Sequence, residues 1–146
     1  GYGAECGAGV NAVNLSWSRQ TIELKVPFRI SRWSYETRNQ VMVRFKHGQW
    51  TGYGEASPNA RYDQSVESCE AALAQIAGNM QGDPLAYRLF TAEASDGVVG
   101  QPAAKSAFVM AVLDWVGKAT GLPLFRLLGL GRMGAPTTFS IGMDEP

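Results

Sequence analysis

The chain has 146 residues and 13 lysines and arginines against 13 aspartates and glutamates, so it is formally neutral at pH 7. Neutrality offers no bulk attraction to nucleic acid or to an anionic membrane surface, and a 45% hydrophobic content argues against a disordered chain. The length supports one domain with a real core, and no apolar run is long enough to cross a membrane.

Residues Gly1 to Asn14, "GYGAECGAGVNAVN", read as a mobile leader. They lack the basic start and apolar middle of a signal peptide. Leu15 to Val26 follow as a half-buried strand, with Ile22, Leu24 and Val26 on one face and Glu23 and Lys25 on the other. Pro27, which has no ladder donor, is expected to end it. Pro27 to Arg38, "PFRISRWSYETR", has no steady period and is expected to be a loop. A loop this long in a compact domain is usually functional or disordered, and its three arginines beside Phe28, Trp33 and Tyr35 suggest a cover over a ligand. Asn39 to Lys46 alternates again, with Val41, Val43 and Phe45 on one side. "HG" then makes a two-residue turn, and Gln49 to Glu55 returns as a third antiparallel strand.

Ala56 to Tyr62 is a second loop. Asp63 is expected to cap a helix running to about Gln81, whose Val66, Cys69, Leu73, Ile76 and Met80 form one apolar stripe. Gly82 to Pro84 stops it and starts another helix through Phe90. After a polar stretch from Ser95 to Gly100, Pro102 to Thr120 is the longest helix. Its alanines suit close packing, its bulk comes from Phe108, Leu113 and Trp115, and Gly121 ends it. A short helix begins at Pro123, and Thr137 to Pro146 reads as a lone final strand. Strands first and helices after give the α+β class: a three-stranded antiparallel meander followed by a helical bundle.

The residues alone supply no catalytic centre. His47 is the single histidine, read as a surface turn residue, so neither a Ser-His-Asp arrangement nor a histidine-built metal centre is expected. Cys6 and Cys69 form no disulfide framework, which points to a reducing cytosol. "GYGEA" carries a G-x-G, either a weak dinucleotide signature or, more simply, glycines for tight backbone packing. Glu55 at a strand end is either an acid–base group or a carboxylate that fixes the adjacent loop. Asp114, inside an apolar helix, suits a structural ion pair or hydrogen bond, and Glu67 and Glu70 are expected to be solvated. Two aromatic- and arginine-bearing loops on a small α+β body describe a binding surface or a lid.

Four stretches, "VPFRISR", "GYGEASP", "KSAFVMAVLDWVGKATGLPLFRLLG" and "TTFSIGMDEP", occur in order from Val26 to Pro146. In this series the chain resembles the amino-terminal part of the enolase superfamily, in its mandelate racemase/muconate lactonising subgroup. Coverage runs from about Leu15 to Pro146. Within the subgroup it is most similar to dipeptide (L-Ala-D/L-Glu) epimerases, through "PFRISR" and "FSIGMD"; the comparable family run is Phe-Thr-Ile-Gly-Ile-Asp, where this chain has Ser140 and Met143.

The resemblance implies a leader over residues 1–14, a capping domain over 15–134, and the first strand of a (β/α)₈ barrel over 135–146. It implies abstraction of a proton α to a carboxylate, with Mg²⁺ stabilising the enediolate and lysines on later barrel strands exchanging the proton. Neither those lysines nor the metal carboxylates occur here, so the chain is expected to be an inactive fragment with no catalytic residue and no metal ligand of its own. Two substrate-binding residues carry over. Arg32, in the loop that closes over substrate, sits near the position from which some epimerases reach the substrate carboxylate; otherwise it is an exposed loop arginine. Ser140 matches the barrel-strand threonine that contacts the dipeptide; otherwise it is a strand serine without a partner. The implied partners are a small-molecule substrate, a dipeptide, and the chain's own barrel, in a cytoplasmic homo-oligomer without nucleic acid or membrane. The alternatives are a muconate-type cycloisomerase, an acid-sugar dehydratase, and a stand-alone binding module.

Overall fold

The computed structural model describes residues 12–30, 33–131, 136 and 138. Three strands, β1 (Asn14–Ile30), β2 (Trp33–His47) and β3 (Trp50–Ala56), form one antiparallel sheet in the order β1-β2-β3. Among the described residues four α-helices follow: α1 (Val66–Asn79), α2 (Tyr87–Ala94), α3 (Pro102–Thr120) and α4 (Leu124–Leu127). This is the α+β meander and helical layer that the strand and helix periods imply. The expected strand over 137–146 lies outside the described residues, Thr138 apart.

The β1–β2 hairpin is longer than its periodicity suggests. Pairing runs in register from Asn14↔Lys46 to Glu23↔Thr37, shifts, and resumes at Phe28↔Tyr35, Arg29↔Ser34 and Ile30↔Trp33. Residues 27–30 and 33–38 of the expected loop are therefore not free coil but the distal part of two paired strands. Pro27 is tolerated because it falls within the irregularity, where Leu24 to Pro27 face Glu36 alone and no ladder donor is missed.

The face that β1 turns inward is also not the expected one. Leu15 is buried and Trp17 packs against the core, whereas Ile22 is 40% and Val26 65% exposed. Alternation identifies a face but not how far the helices extend beneath it. β2 follows expectation, with Val41, Val43 and Phe45 fully buried. The turn after β2 is Gly48-Gln49 rather than His47-Gly48: His47 pairs with Trp50, and Gly48 takes φ +58°, a region open to glycine.

Phe45 is the centre of an aromatic cluster joining sheet and helices. Its ring meets Phe90 of α2 at 5.7 Å and Phe108 and Trp115 of α3 at 6.4 and 5.7 Å, all edge to face. β3 packs on α3 more closely than side chains would allow. A Cβ built on Gly52 would lie 1.9 Å from the Ala111 carbonyl oxygen, and one on Gly54 would lie 2.0 Å from that of Ala107. The glycines of "GYGEA" thus serve tight backbone packing, and the alanines of α3 are the surface they rest on.

Ser65, not Asp63, caps α1. The Ser65 hydroxyl accepts from the Ser68 N–H, and the Ser68 hydroxyl accepts from the Ser65 N–H, at 3.1 and 2.9 Å. Asp63 instead closes a single 3₁₀ turn, Ala60–Tyr62, in the left-handed region with φ 53°. The Cys69, Leu73 and Ile76 stripe of α1 is buried as its spacing implies. α2 starts at Tyr87, later than Pro84, after a turn in which the Leu85 N–H bonds the Asp83 carboxylate. α3 begins at Pro102 and ends at Gly121, φ +67°, as the punctuation of the sequence indicates.

Candidate functional site

The hairpin and the segment after β3 face each other across a cleft of about 730 Å³. One wall is built from β1 and β2 through Arg19, Thr21, Thr37, Arg38 and Asn39; the other is the 58–67 segment that leads into α1. Both expected loop regions therefore contribute to a single concave surface.

Asn59 shapes the second wall. Its side-chain oxygen accepts the Arg61 N–H at 3.0 Å, while its carbonyl accepts the N–H groups of Tyr62 at 2.9 Å and Gln64 at 3.3 Å. An asparagine suits this work because its short amide replaces a backbone acceptor two residues on. On the hairpin, the Thr21 hydroxyl donates to the Asn39 side-chain oxygen at 2.9 Å, tying the two strands together across the cleft wall.

Arg19 fastens the two walls. Its guanidinium donates to both oxygens of Glu70, at 3.0 and 2.5 Å, and to Glu67 at 2.9 Å. The two-pronged bond to Glu70 is the geometry for which a planar fork is suited, and hydrogen bonding to Glu70 is the main reason the Arg19 pKa rises above its ordinary value. Glu67 is held below the usual carboxylate range, first by its own backbone N–H, then by Ser65, with Arg19 adding to the effect. Glu67 and Glu70 are thus not simply solvated; they clasp the hairpin to the first turns of α1.

The remaining candidates are structural or inert. Asp114 accepts the Tyr53 N–H at 2.8 Å and pairs with Lys118 at 2.6 Å, the structural role its position suggests. Glu55 is exposed and makes no side-chain hydrogen bond among the described residues, so it does not fix the neighbouring loop through one. His47 ends β2 with its ring 5.3 Å from that of Trp115 and its Nδ1 buried, so it is a packed residue rather than a surface one. Cys69 is fully buried in α1, and burial pushes its thiol up to about 11, with Glu70 contributing. Among the described residues there is no group of three or more His, Cys, Asp or Glu that would hold a metal ion. Arg32 and Ser140, the two expected substrate-binding residues, lie outside the described residues.

The cleft can bind and orient through hydrogen bonds and positive charge. Among its described residues it offers no nucleophile paired with a base. The arginine and glutamine side chains that line it, Arg19, Arg61 and Gln64, escape a search for catalytic pairs. For Arg19 a signal exists: it follows Leu15 and Trp17 at period two, so an arginine falls on the inward face.

Residues 12–129 match the family described as "Mandelate racemase / muconate lactonizing enzyme, N-terminal domain". The chain is 32% identical over 126 residues to an L-Ala-D/L-Glu epimerase of Bacteroides thetaiotaomicron, a match covering 86% of this chain and 33% of that relative. It superposes with a TM-score of 0.80 on a dipeptide epimerase of Methylococcus capsulatus complexed with Mg and the dipeptide L-Arg-D-Lys, at 28% identity over 90% of this chain and 38% of that one. A muconate lactonizing enzyme of Pseudomonas fluorescens shares the fold at 22% identity, with a TM-score of 0.75 over 84% of this chain and 35% of that one. The chain spans about a third of the length of the curated relatives it matches. No described helix is long and apolar enough to cross a membrane. The meander, the helical layer and the match over residues 12–129 lead to one conclusion: this chain belongs to the amino-terminal capping-domain family of the enolase superfamily's mandelate racemase/muconate lactonizing subgroup.

Proposed function

We propose that this chain is the substrate-covering cap of a Mg²⁺-dependent dipeptide epimerase. The observation that carries the reading is the cleft between the hairpin and the 58–67 segment: both expected loop regions of the cap open onto one concavity lined by Arg19, Arg38 and Arg61. The similarity to epimerases of several specificities supports the substrate class. In this reading residues 15–134 form the cap, residues 135–146 the first stave of the barrel, and the rest of the barrel completes the site.

The chemistry belongs to the whole enzyme, which removes the proton α to a carboxylate while a metal ion balances the charge that develops. The described residues do not form an acidic cluster fit for that ion, so its ligands and the proton-transferring lysines are assigned to the barrel. Arg32 is assigned to the substrate carboxylate and Ser140 to contact with the dipeptide. The cap excludes water and orients the substrate; taken by itself it is inactive. We place the enzyme in the cytoplasm as a homo-oligomer, a setting in keeping with the free thiol of Cys69.

The test is a substrate panel on the complete enzyme with Mg²⁺: L-Ala-L-Glu and other dipeptides, cis,cis-muconate, and acid sugars. Epimerisation of dipeptides, abolished by chelation, is the expected result. Turnover of muconate or an acid sugar with no dipeptide turnover overturns the assignment.

A further inference from the structure

The two edges of the sheet are finished differently. On β3, Asp114 and Lys118 of α3 take up the Tyr53 N–H and the Thr51 carbonyl. Among the described residues β1 pairs with β2 alone, and the far edge of this 17-residue strand has no backbone partner. An open edge is a template for another strand. The opening is widest at residues 24–27, which have no partner residue on β2 either. Here β1 also carries the apolar face that the helices leave uncovered: Ile22 and Val26 are exposed, with Leu24 half-buried between them. On the alternate face Glu23 and Lys25 are exposed and make no ion pair among the described residues.

A second copy of this chain fits the stretch in one register. Two copies of an edge strand pair antiparallel about a two-fold axis, which sets one residue opposite itself. With Leu24 on the axis, Glu23 of each copy lies opposite Lys25 of the other, and Ile22 lies opposite Val26. The opposed charges attract, and Ile22, Leu24 and Val26 of both copies make one apolar row on the other face. Neighbouring registers fail. With Glu23 on the axis, glutamate faces glutamate; with Lys25 on it, lysine faces lysine; with Ile22 on it, Arg19 faces Lys25. Like charges directly opposite destabilise a pair. An axis at Thr21 would offer Arg19 to Glu23, but Arg19 is committed to Glu67 and Glu70. Pro27 has no ladder donor and closes the paired stretch at Val26.

We infer that two copies of this chain associate through β1, residues 22–26 of each pairing antiparallel about Leu24 so that two sheets become one. This gives the homo-oligomer placed above a surface, and it stands on the strand edge and its charges whatever the substrate is. It also accounts for an apolar alternation that the chain's own helices do not cover. The contact is small, so it adds to other contacts between copies rather than replacing them.

The experiment follows disulfide cross-linking of the complete enzyme under mild oxidation, with the linked peptides identified by mass spectrometry. Leu24→Cys should link to its own counterpart in the second copy, because it sits on the axis. Ser18→Cys, exposed on the same strand but away from the axis, should not. Adding Glu23→Lys or Lys25→Glu to Leu24→Cys sets like charges opposite at both positions and should slow the linkage by about tenfold or more. An equimolar mixture of those two charge variants puts opposite charges back at both positions and should recover the rate in mixed dimers. All these changes are at exposed or half-buried positions of an edge strand, so folding is expected to survive them, and equal melting temperatures confirm it. No linkage at Leu24→Cys, equal linkage at Ser18→Cys, indifference to the charge reversals, or a mixture no faster than its components overturns the inference. None of these outcomes bears on the epimerase reading, which the substrate panel tests separately.

Discussion

Asp114 and Lys118, one turn apart on α3, together act as a substitute strand along the edge of β3. The carboxylate accepts the Tyr53 N–H at 2.8 Å, the ammonium donates to the Thr51 carbonyl at 2.8 Å, and the two side chains pair at 2.6 Å. An edge strand otherwise presents open donors and acceptors to other chains. Here a helix supplies one acceptor and one donor at the spacing β3 offers, and the Tyr53 ring lies 4.9 Å beneath the same ammonium.

Asp114→Ala is therefore expected to do two things. It should lower stability by about 1 kcal/mol, since both groups are more than a third exposed and solvent screens the pair. It should also reopen the β3 edge and promote self-association. Urea titration measures the first and sedimentation velocity the second. A variant as stable and as monodisperse as the parent would show that the edge is protected in some other way.

Gly54→Ala and Gly52→Ala should be far more damaging than their size suggests. The added methyl group meets the carbonyl of Ala107 or Ala111, which is backbone and cannot swing aside. Over-packing typically costs about 1–3 kcal/mol and more where nothing yields, so thermal unfolding should show a loss of about 3 kcal/mol or greater. As a control, Gly78→Ala, in the last turn of α1, meets nothing within 4 Å and should leave stability within about 0.5 kcal/mol of the parent.

Acid should loosen the cleft by releasing the Arg19 clasp. Glu67 has its folded-state pKa depressed below the ordinary 4.5. A depressed carboxylate contributes stability above the unfolded-state value and loses it as the pH falls through the folded-state value. Stability should fall as the pH drops below about 4.5, and Arg19→Met should flatten that dependence in part, because the Glu67 backbone N–H and Ser65 are the larger causes of the shift. Urea midpoints across about pH 3 to 6 test this; identical slopes for both proteins would remove the clasp from the explanation.

A cap without its barrel should expose apolar surface. Leu122, Leu124, Phe125, Leu128 and Leu130 are all at least 36% exposed around α4, a run that water covers poorly. The isolated chain is expected to bind an apolar dye and to associate at high concentration. A dye-silent monomer would mean that this face is satisfied as it stands.

Much of the architecture is legible in the residues because its signals are local. Pro102 and Gly121 bracket α3 by their own backbone preferences, and the apolar spacing of Cys69, Leu73 and Ile76 identifies the buried stripe of α1. The errors arise where a signal depends on something distant. Ile22 and Val26 alternate like core residues, but only tertiary structure decides that the helices lie under Leu15 and Trp17 instead. Pro27 reads as a terminator because its missing donor matters only if the partner strand is in register there, and it is not. Asp63 and Ser65 are both good caps by type; the 3₁₀ turn at Ala60–Tyr62 gives the first a different task. The cleft is hardest to foresee. Arg19 of β1 and Arg61 of the 58–67 segment line one cleft only because the fold brings these segments together, and only the geometry shows that Arg19 is committed to Glu67 and Glu70.

The most direct measurement is loss of the α-proton signal of L-Ala-L-Glu in D₂O with Mg²⁺, followed by NMR for this 146-residue chain and for the complete enzyme. A cap that covers substrate while the barrel performs the chemistry should leave the proton in place with the chain alone, and exchange it with the complete enzyme. Exchange by the isolated chain, or none by the complete enzyme on any dipeptide, would contradict it.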